Sequence, residues 1–514
     1  MKTKPDTIII LDFGSQYTQL IARRLREIQI YCEIVPFNTS FEKIREMNPR
    51  GLIFSGGPAS FYEPDAPSPD PGLLQLGIPI LGICYGMHAL AEMQGGKVEK
   101  APQREYGPVE IEVLQDSPLF QGMERRLRVW MSHGDYVTRP PAGFLHSAKA
   151  SYSEFAALEN PQKKLYLVQF HPEVTHTPDG PRILHNFARN ICRAEGLWTP
   201  EYFIACAENA IRKKLEGGKA ICALSGGVDS TVTAVLMHRA APDQTLSIFV
   251  DNGLLRFEDR EVVEEFLLGK LELNIKIVDA SEKFINALQG VTDPEQKRKI
   301  IGETFIRVFE EAAAEWGDAK FLAQGTLYPD VIESVSVKGP SATIKSHHNV
   351  GGLPQAMGME LIEPLRELFK DEVRKVGARL GIPDKIVKRH PFPGPGLGVR
   401  ILGEITRERL DIVRKADALF IAELRRSNWY EKVSQALCVL LPVKSVGVMG
   451  DNRTYENVLA LRAVETEDFM TAAWSRLPFD LLERAANRII NEVPGVNRVV
   501  YDISTKPPAT VEWE

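Results

Sequence analysis

A short glycine-containing run carries the residues best suited to binding a phosphate. Residues 221–224 are apolar, as in a buried strand of a parallel sheet, and a helical pattern follows through His238. The run between them is Ser225, Gly226, Gly227, Val228, Asp229, Ser230 and Thr231. Backbone N–H groups at a helix start attract anions, and glycines let a phosphate approach the backbone. We predict an anion-binding loop at residues 225–231, with a glycine-rich structural turn as the alternative. The loop lacks the spacing and lysine of a Walker A motif.

A second candidate for chemistry is Cys84, which lies between a predicted strand and a predicted helix in the run GICYG. This pattern is typical of a nucleophile elbow, which exposes the thiol at a helix start, where the thiolate is favoured. The alternative is a buried structural thiol, which we expect for the other five cysteines.

A thiolate nucleophile requires a base, and the base requires a partner that orients it. His171 and Glu173 lie two residues apart just past a strand-like run, residues 165–170. No other histidine combines a strand end with a nearby carboxylate, although His133 in the run WMSHGD is also a candidate. We predict that His171 acts as the base for Cys84 and that Glu173 orients His171.

The elements that must position these residues alternate between strand and helix in both halves of the chain. This rhythm predicts an α/β fold with two doubly wound, mostly parallel sheets, and a small α/β domain follows them. The Pro/Gly-rich run 388–400 indicates a boundary. We predict domains at residues 1–197, 198–389 and 390–514.

The composition excludes several classes of protein. The 62 basic and 68 acidic residues give a net charge of −6 without a basic stripe, which argues against a nucleic-acid partner. No apolar stretch approaches the length of a membrane span. The six cysteines show no CxxC pair, so we expect reduced thiols in the cytoplasm.

The first part of the chain, about residues 7–197, resembles the class I glutamine amidotransferases. The resemblance implies a catalytic triad of Cys84, His171 and Glu173 that releases ammonia from glutamine. The SGGP run at 55–58 resembles an oxyanion loop, which implies that the N–H groups of Gly57 and Tyr85 hold the oxyanion. His88 stands where this family often carries a glutamine.

The loop at 225–231 resembles the SGGxDS loop of the ATP pyrophosphatase family, whose fold is like that of the adenine-nucleotide α-hydrolases. The resemblance implies that the loop binds the pyrophosphate of ATP while the α-phosphate is attacked, and that Lys370 assists. Mg²⁺ prefers carboxylates together with phosphate oxygens, which makes Asp229 the expected contact. Residues 336–354 are expected to form a mobile lid, with a solvated loop that has no functional role as the alternative.

Over essentially its full length the chain resembles the family of glutamine-hydrolysing GMP synthases. The strings that carry the resemblance are CYGM, QFHPEV, LSGGVDS, FVDNGLLR, KSHHNVGGLP, RHPFPGPGLG, LPVKSVGVMGDNR and KPPATVEWE. The resemblance implies glutamine, ATP and XMP as substrates, an adenylylated XMP intermediate, and XMP binding by Arg298, Lys506 and Glu512. It also implies a homodimer formed through the C-terminal domain.

Two other interpretations remain. The chain could be a glutamine-dependent ATP pyrophosphatase that amidates a different acceptor. Alternatively, the first domain could be a non-enzymatic sensor or binding partner, although the triad argues against this.

Overall fold

The computed structural model describes residues 5–63, 65–335, 358–449, 452–466, 469 and 471–514. The chain divides into two compact units, Met1–Phe203 and Ile204–Glu514, called unit 1 and unit 2 below. The predicted boundary after residue 197 lies close to this division.

Unit 1 is built on one nine-stranded sheet. Its strands are β1 (Thr7–Asp12), β2 (Tyr31–Pro36), β3 (Gly51–Phe54), β4 (Ile80–Ile83), β5 (Lys97–Val113), β6 (Arg126–Arg139), β7 (Leu145–Ala150), β8 (Ala157–Asn160) and β9 (Leu165–Val168). Its helices are α1 (Thr18–Glu27), α2 (Phe41–Met47), α3 (Tyr85–Met93) and α4 (Gly180–His185), with a 3₁₀ turn at Pro71–Leu76 and a π-helical turn at Asn186–Ile191.

The strand order in this sheet is β2-β1-β3-β4-β9-β8-β7-β5-β6. The part from β2 to β9 is parallel, and its apolar strands β3, β4 and β9 are buried as expected for such a sheet. The remaining pairs are antiparallel. Because β4 and β9 are parallel neighbours with Ile83 opposite Val168, the residues that follow both strands lie at the same edge of the sheet.

Unit 2 contains a five-stranded sheet and a four-stranded sheet. Its strands are β10 (Lys219–Leu224), β11 (Thr245–Asp251), β12 (Ile275–Asp279), β13 (Ala319–Ala323), β14 (Glu360–Ile362), β15 (Gln435–Met449), β16 (Asn452–Glu465), β17 (Ala473–Trp474) and β18 (Val496–Tyr501). The helices are α5 (Pro200–Leu215), within which the division between the units falls, α6 (Val228–Ala240), α7 (Phe257–Val262), α8 (Ser281–Ala287), α9 (Pro294–Ala314), α10 (Tyr328–Val335), α11 (Lys370–Arg379), α12 (Asp384–Val387), α13 (Arg407–Arg426) and α14 (Phe479–Glu492). Short turns occur at Pro242–Gln244, Val263–Leu268 and Gly396–Arg400.

The five-stranded sheet is parallel throughout, in the order β12-β11-β10-β13-β14. The chain moves from β10 to one side through β11 and β12, and then returns to the other side with β13. Ligands of such sheets bind at the carboxyl ends of the strands where the order reverses. The loop that follows β10 therefore lies at this switch point. The predicted α/β fold with parallel sheets is confirmed.

The four-stranded sheet combines antiparallel pairs around β16 with the parallel strand β18. One continuous cluster of buried apolar side chains includes Ile248 of β11, Phe420 of α13 and Leu461 of β16. The two sheets of unit 2 thus share a hydrophobic core. The predicted division after residue 389 lies inside this unit and stays a prediction.

Candidate active sites

Cys84 occupies the turn between β4 and α3. Its backbone has φ 52° and ψ −107°, a conformation that costs a non-glycine residue energy and persists only where the surroundings hold it. The backbone N–H of Cys84 donates to the carbonyl of Val168, at the end of β9, over 2.8 Å. This contact joins the start of α3 to the strand that precedes His171.

Two glycines permit this sharp turn. A Cβ on Gly82 would lie 2.6 Å from the carbonyl oxygen of Gly86, and a Cβ on Gly86 would lie 2.2 Å from the carbonyl oxygen of Phe54. Real side chains do not occupy such spaces, so the strand, the turn and the helix can pack this closely only with glycine at both positions. The run GICYG therefore has a steric basis.

His171 follows β9 and is held from two sides. Its Nδ1 lies 2.7 Å from Oε1 of Glu173, and both side chains are buried. The hydroxyl of Thr177 donates to the carbonyl of His171 over 2.7 Å and accepts from the N–H of Trp130 over 3.0 Å. Because a carboxylate oxygen accepts, Nδ1 carries the proton and Nε2 is left for the thiol.

The charges around His171 favour its protonated form. Burial alone would lower the pKa of His171, but the carboxylate of Glu173, the thiolate of Cys84 and hydrogen bonds to both together raise that pKa well above its usual value. In the pair formed by Cys84 and His171, the imidazolium form of His171 is therefore favoured. A thiolate in this pair can attack a carbonyl carbon.

The two residues whose N–H groups are predicted to hold an oxyanion, Gly57 and Tyr85, lie close together. A Cβ on Gly57 would lie 3.4 Å from Cγ of Tyr85. The carbonyl of Ser55 accepts from the N–H of Gly86 over 3.0 Å, which ties the SGGP run to the start of α3. In the described part of the chain neither the N–H of Gly57 nor that of Tyr85 has an acceptor. Both donors are free for a developing negative charge.

His88 lies one turn into α3 and is buried. Its Nε2 lies 2.9 Å from Oε1 of Gln169. Burial lowers the pKa of His88 to about 4, although the hydrogen bond to Gln169 acts in the opposite direction. His88 is therefore a neutral donor behind Cys84.

His133 was the other histidine considered as a candidate base. Both of its ring nitrogens are already engaged, by the carbonyl of Asp135 and the carboxylate of Glu105.

The predicted anion loop in unit 2 follows β10, and α6 begins at Val228. Gly226 has φ +76°, which only glycine adopts readily. The hydroxyl of Ser230 lies 3.0 Å from the hydroxyl of Ser225, donates to the carbonyl of Gly227 over 3.1 Å and accepts from the N–H of Ser225 over 3.2 Å. Hydroxyls and N–H groups thus surround the start of α6, where the helix dipole favours an anion.

Lys370 begins α11 and forms an ion pair with Asp229 in the first turn of α6. The structure therefore brings together two residues that are distant in sequence and that were both predicted to meet ATP. The Oδ1 atom of Asp229 is buried and has no hydrogen-bond partner among the described residues. This free carboxylate oxygen beside an anion loop fits Mg²⁺, which binds through one or two carboxylates and phosphate oxygens.

The three residues predicted to bind XMP all contact polar groups in unit 2. Arg298 of α9 donates to the carbonyl of Glu514. Lys506 donates to the carbonyl of Phe469 over 2.6 Å. The carboxylate of Glu512 accepts from other side chains. Lys506 and Glu512 thus belong to the 502–514 segment, and Arg298 contacts its residue Glu514.

Sequence reasoning missed two residues that hold Glu512. Arg400 donates to both oxygens of Glu512, over 3.1 and 3.0 Å, and Gln435 donates to Oε1 over 2.7 Å. Arg400 is the last residue of the Pro/Gly-rich run 388–400, and that run was the sequence feature that could have drawn attention to it. Nothing in the sequence around Gln435 distinguishes it.

Comparison with known proteins places both sites within one family. Residues 9–191 match the glutamine amidotransferase class-I family, and residues 422–513 match the GMP synthase C terminal domain. The chain is 58% identical to the glutamine-hydrolyzing GMP synthase of Nitratiruptor sp. over 514 residues, which covers 99% of each chain. It is 57% identical to that of Carboxydothermus hydrogenoformans, with 99% of each chain covered, and 55% identical to that of Aquifex aeolicus, with 100% of each covered.

The chain belongs to the family of glutamine-hydrolysing GMP synthases. Because the alignments cover nearly all of each chain, both candidate sites lie in the length shared with these GMP synthases. Every described helix of this GMP synthase family member is too short or too polar to cross a membrane. The predicted lid at 336–354 lies outside the described residues.

Proposed function

We propose that this chain converts XMP to GMP, with ATP as the activating substrate and glutamine as the source of nitrogen. The observation that carries the proposal is that one chain of this family holds a buried Cys84–His171–Glu173 arrangement and, at the switch point of a second sheet, an anion loop beside Lys370. The first arrangement suits hydrolysis of an amide, and the second suits release of pyrophosphate. The products would be GMP, AMP, pyrophosphate and glutamate.

In unit 1, the Cys84 thiolate attacks the carboxamide carbon of glutamine. The N–H groups of Gly57 and Tyr85 stabilise the oxyanion that forms. His171 donates its proton to the departing nitrogen, so that ammonia leaves, and then accepts a proton from the water that hydrolyses the thioester. Glu173 keeps the imidazole oriented and compensates the charge of the imidazolium.

In unit 2, the C2 oxygen of XMP attacks the α-phosphorus of ATP, and pyrophosphate leaves. The loop 225–231 and Lys370 bind the pyrophosphate, whose concentrated negative charge matches N–H donors and an ammonium group. Ammonia then attacks C2 and AMP leaves. Adenylylation is required because the unmodified oxygen of a urea-like carbonyl is a poor leaving group.

Asp229 would hold Mg²⁺ through its Oδ1, which has no hydrogen-bond partner among the described residues. When bound, the ion supplies neutralisation of the phosphate charge that develops as pyrophosphate departs.

Arg298, Lys506 and Glu512 are assigned to XMP, with the two cations suited to its phosphate and the carboxylate suited to its purine N–H groups. We assign release of ammonia to residues 1–197, activation by ATP to 198–389, and acceptor binding with dimerisation to 390–514. The far part of the hairpin formed by β15 and β16 supports a homodimer, because it exposes Val446, Val448 and Tyr455. Cytoplasmic location stays a prediction from the cysteines.

The proposal is tested by incubating the protein with XMP, ATP, Mg²⁺ and glutamine. We expect GMP, AMP, pyrophosphate and glutamate in equal amounts. Consumption of ATP with a different acceptor, and none with XMP, would favour the alternative of another amidating enzyme. The oligomer is tested separately by light scattering of the full chain.

A further inference from the structure

Three fully buried cations hold the 502–514 segment. Lys297 lies on α9, Arg400 ends the 3₁₀ turn Gly396–Arg400, and Arg462 lies on β16, and each side chain is 0% exposed. Complete burial of charged side chains is rare unless each is paired. All three form ion pairs with carboxylates of this thirteen-residue segment, and Arg400 also pairs with Asp417.

Arg462 binds the segment at four points. Its Nη1 donates to Asp502 over 2.6 Å and to the carbonyl of Ser504 over 3.0 Å. Its Nε and Nη2 donate to the carbonyls of Val511 and Thr510, each over 2.9 Å. One guanidinium thus joins both ends of the loop that carries Lys506, and it fixes the shape of that loop.

Arg400 fixes the carboxylate of Glu512. Beyond its two bonds to Glu512, its Nη1 donates to Oδ1 of Asp417 over 3.3 Å. Asp417 lies on α13, a helix that packs in the core of unit 2. Arg400 therefore fixes the orientation of the Glu512 carboxylate relative to that helix.

Lys297 secures the far end of the segment. Its Nζ lies 2.5 Å from Oε2 of Glu514 and 2.7 Å from the carbonyl oxygen of Ile401. The next residue, Arg298, donates to the backbone carbonyl of Glu514. Burial lowers the pKa of Lys297, and the hydrogen bond to Glu514 opposes this shift. One turn of α9 therefore carries both a buried anchor for the segment and a residue assigned to XMP.

Buried ion pairs of this kind contribute little net stability, because desolvation of the charges offsets their attraction. Apolar side chains could attach the segment equally well. Charged groups differ in that their hydrogen bonds fix the positions of particular carbonyl and carboxylate groups. In this chain the groups fixed in this way belong to the segment that contains Lys506 and Glu512.

We propose that Lys297, Arg400 and Arg462 are positioning residues of the acceptor site, which fix the 502–514 segment as a preformed wall against XMP. This inference rests on the proposed function, since it concerns the nucleotide assigned to Lys506 and Glu512. The three residues need not touch XMP. They act by holding the segment in one conformation before the nucleotide binds, so that XMP does not have to order it.

The test uses two substitutions at one end of the segment in the full chain, Lys297→Met and Glu514→Gln. Each removes one partner of the ion pair, and Glu514→Gln leaves the bond from Lys297 to Ile401 in place. We expect the KM for XMP to rise about tenfold or more, with the KM for ATP and the kcat at saturating XMP within about twofold. A merely structural role would lower the active fraction, and therefore kcat, without raising the KM for XMP.

The control is Lys299→Met, which removes an exposed cation from the same helix. It should leave the KM for XMP unchanged. A wild-type KM for XMP in both Lys297→Met and Glu514→Gln would overturn the proposal, as would an equal rise in the KM for ATP.

Hydrogen exchange separates this proposal from the proposed function. Amide exchange in the 502–514 segment, followed without nucleotide, should be faster in Lys297→Met than in the wild type and Lys299→Met. Absence of GMP formation by the wild type would defeat the proposed function alone. Unchanged exchange in the segment would defeat the positioning role, whatever the activity.

Discussion

His171 and Glu173 form a buried pair in which Nδ1 and Oε1 lie 2.7 Å apart. Only one residue separates them in the chain, so a single loop after β9 supplies both the base and its orienting carboxylate. The parallel pairing of β4 with β9 then brings Cys84 to the same edge of the sheet. The predicted catalytic group therefore depends on one local turn and one strand pair.

The first prediction concerns this pair. In Glu173→Gln, the charge that raises the pKa of His171 is lost, so the imidazolium that accompanies the thiolate becomes less stable at neutral pH. We expect the glutaminase kcat to fall on the order of 10²- to 10⁴-fold, as in comparable triads. The pH–rate profile of glutamine hydrolysis measures this change. Synthesis from added ammonium should continue, and a wild-type glutaminase rate would show that Glu173 has no such role.

Lys370 provides the second prediction. Its ion pair with Asp229 is partly exposed, so removing it should change the stability of the fold little. Lys370→Met should lower GMP synthesis from glutamine and from ammonium alike, by about 10²-fold, because a cation that stabilises the leaving pyrophosphate is lost. Lys375→Met on the same helix, whose side chain is 58% exposed, is the matched control. Equal activities in the two variants would count against the assignment.

The third prediction uses the burial of His88. Its pKa is lowered to about 4 in the folded chain, whereas the unfolded chain binds the proton near the ordinary value of 6.5. Between these values the unfolded state binds more protons, so stability falls as the pH is lowered from about 6.5 to 4, by about 3 kcal/mol from this residue.

Urea unfolding of unit 1 between pH 4 and 7, measured for the wild type and His88→Gln, tests this. The substitution should flatten the dependence on pH, since glutamine does not titrate. The control His185→Gln removes an exposed histidine of the same unit and should leave the slope as it is. An unchanged slope in His88→Gln would show that His88 does not contribute.

Much of both candidate sites could be predicted from the sequence because their positions are fixed locally. An apolar strand, a turn and a helix start specify where Cys84 lies, and the same three signals specify the loop after β10. The parallel strands then place these turns at sheet edges without further information. Local pattern and global fold agree at these points.

The rest depends on contacts that the sequence does not reveal. β5 and β6 form a long antiparallel extension of the first sheet, 17 and 14 residues in length, whose pairing depends on register between distant strands. Lys297 and Arg400 look like surface cations in the sequence, and only tertiary packing shows that both are buried.

The central claim is that Cys84 releases from glutamine the nitrogen that enters GMP. The most direct measurement is the rate of GMP formation by Cys84→Ala from XMP and ATP, with glutamine or with ammonium as the nitrogen source. We predict no synthesis from glutamine and a rate close to wild type from ammonium, because the loop at 225–231 and the 502–514 segment are untouched. GMP formation from glutamine by this variant, or its failure with ammonium, would contradict the account.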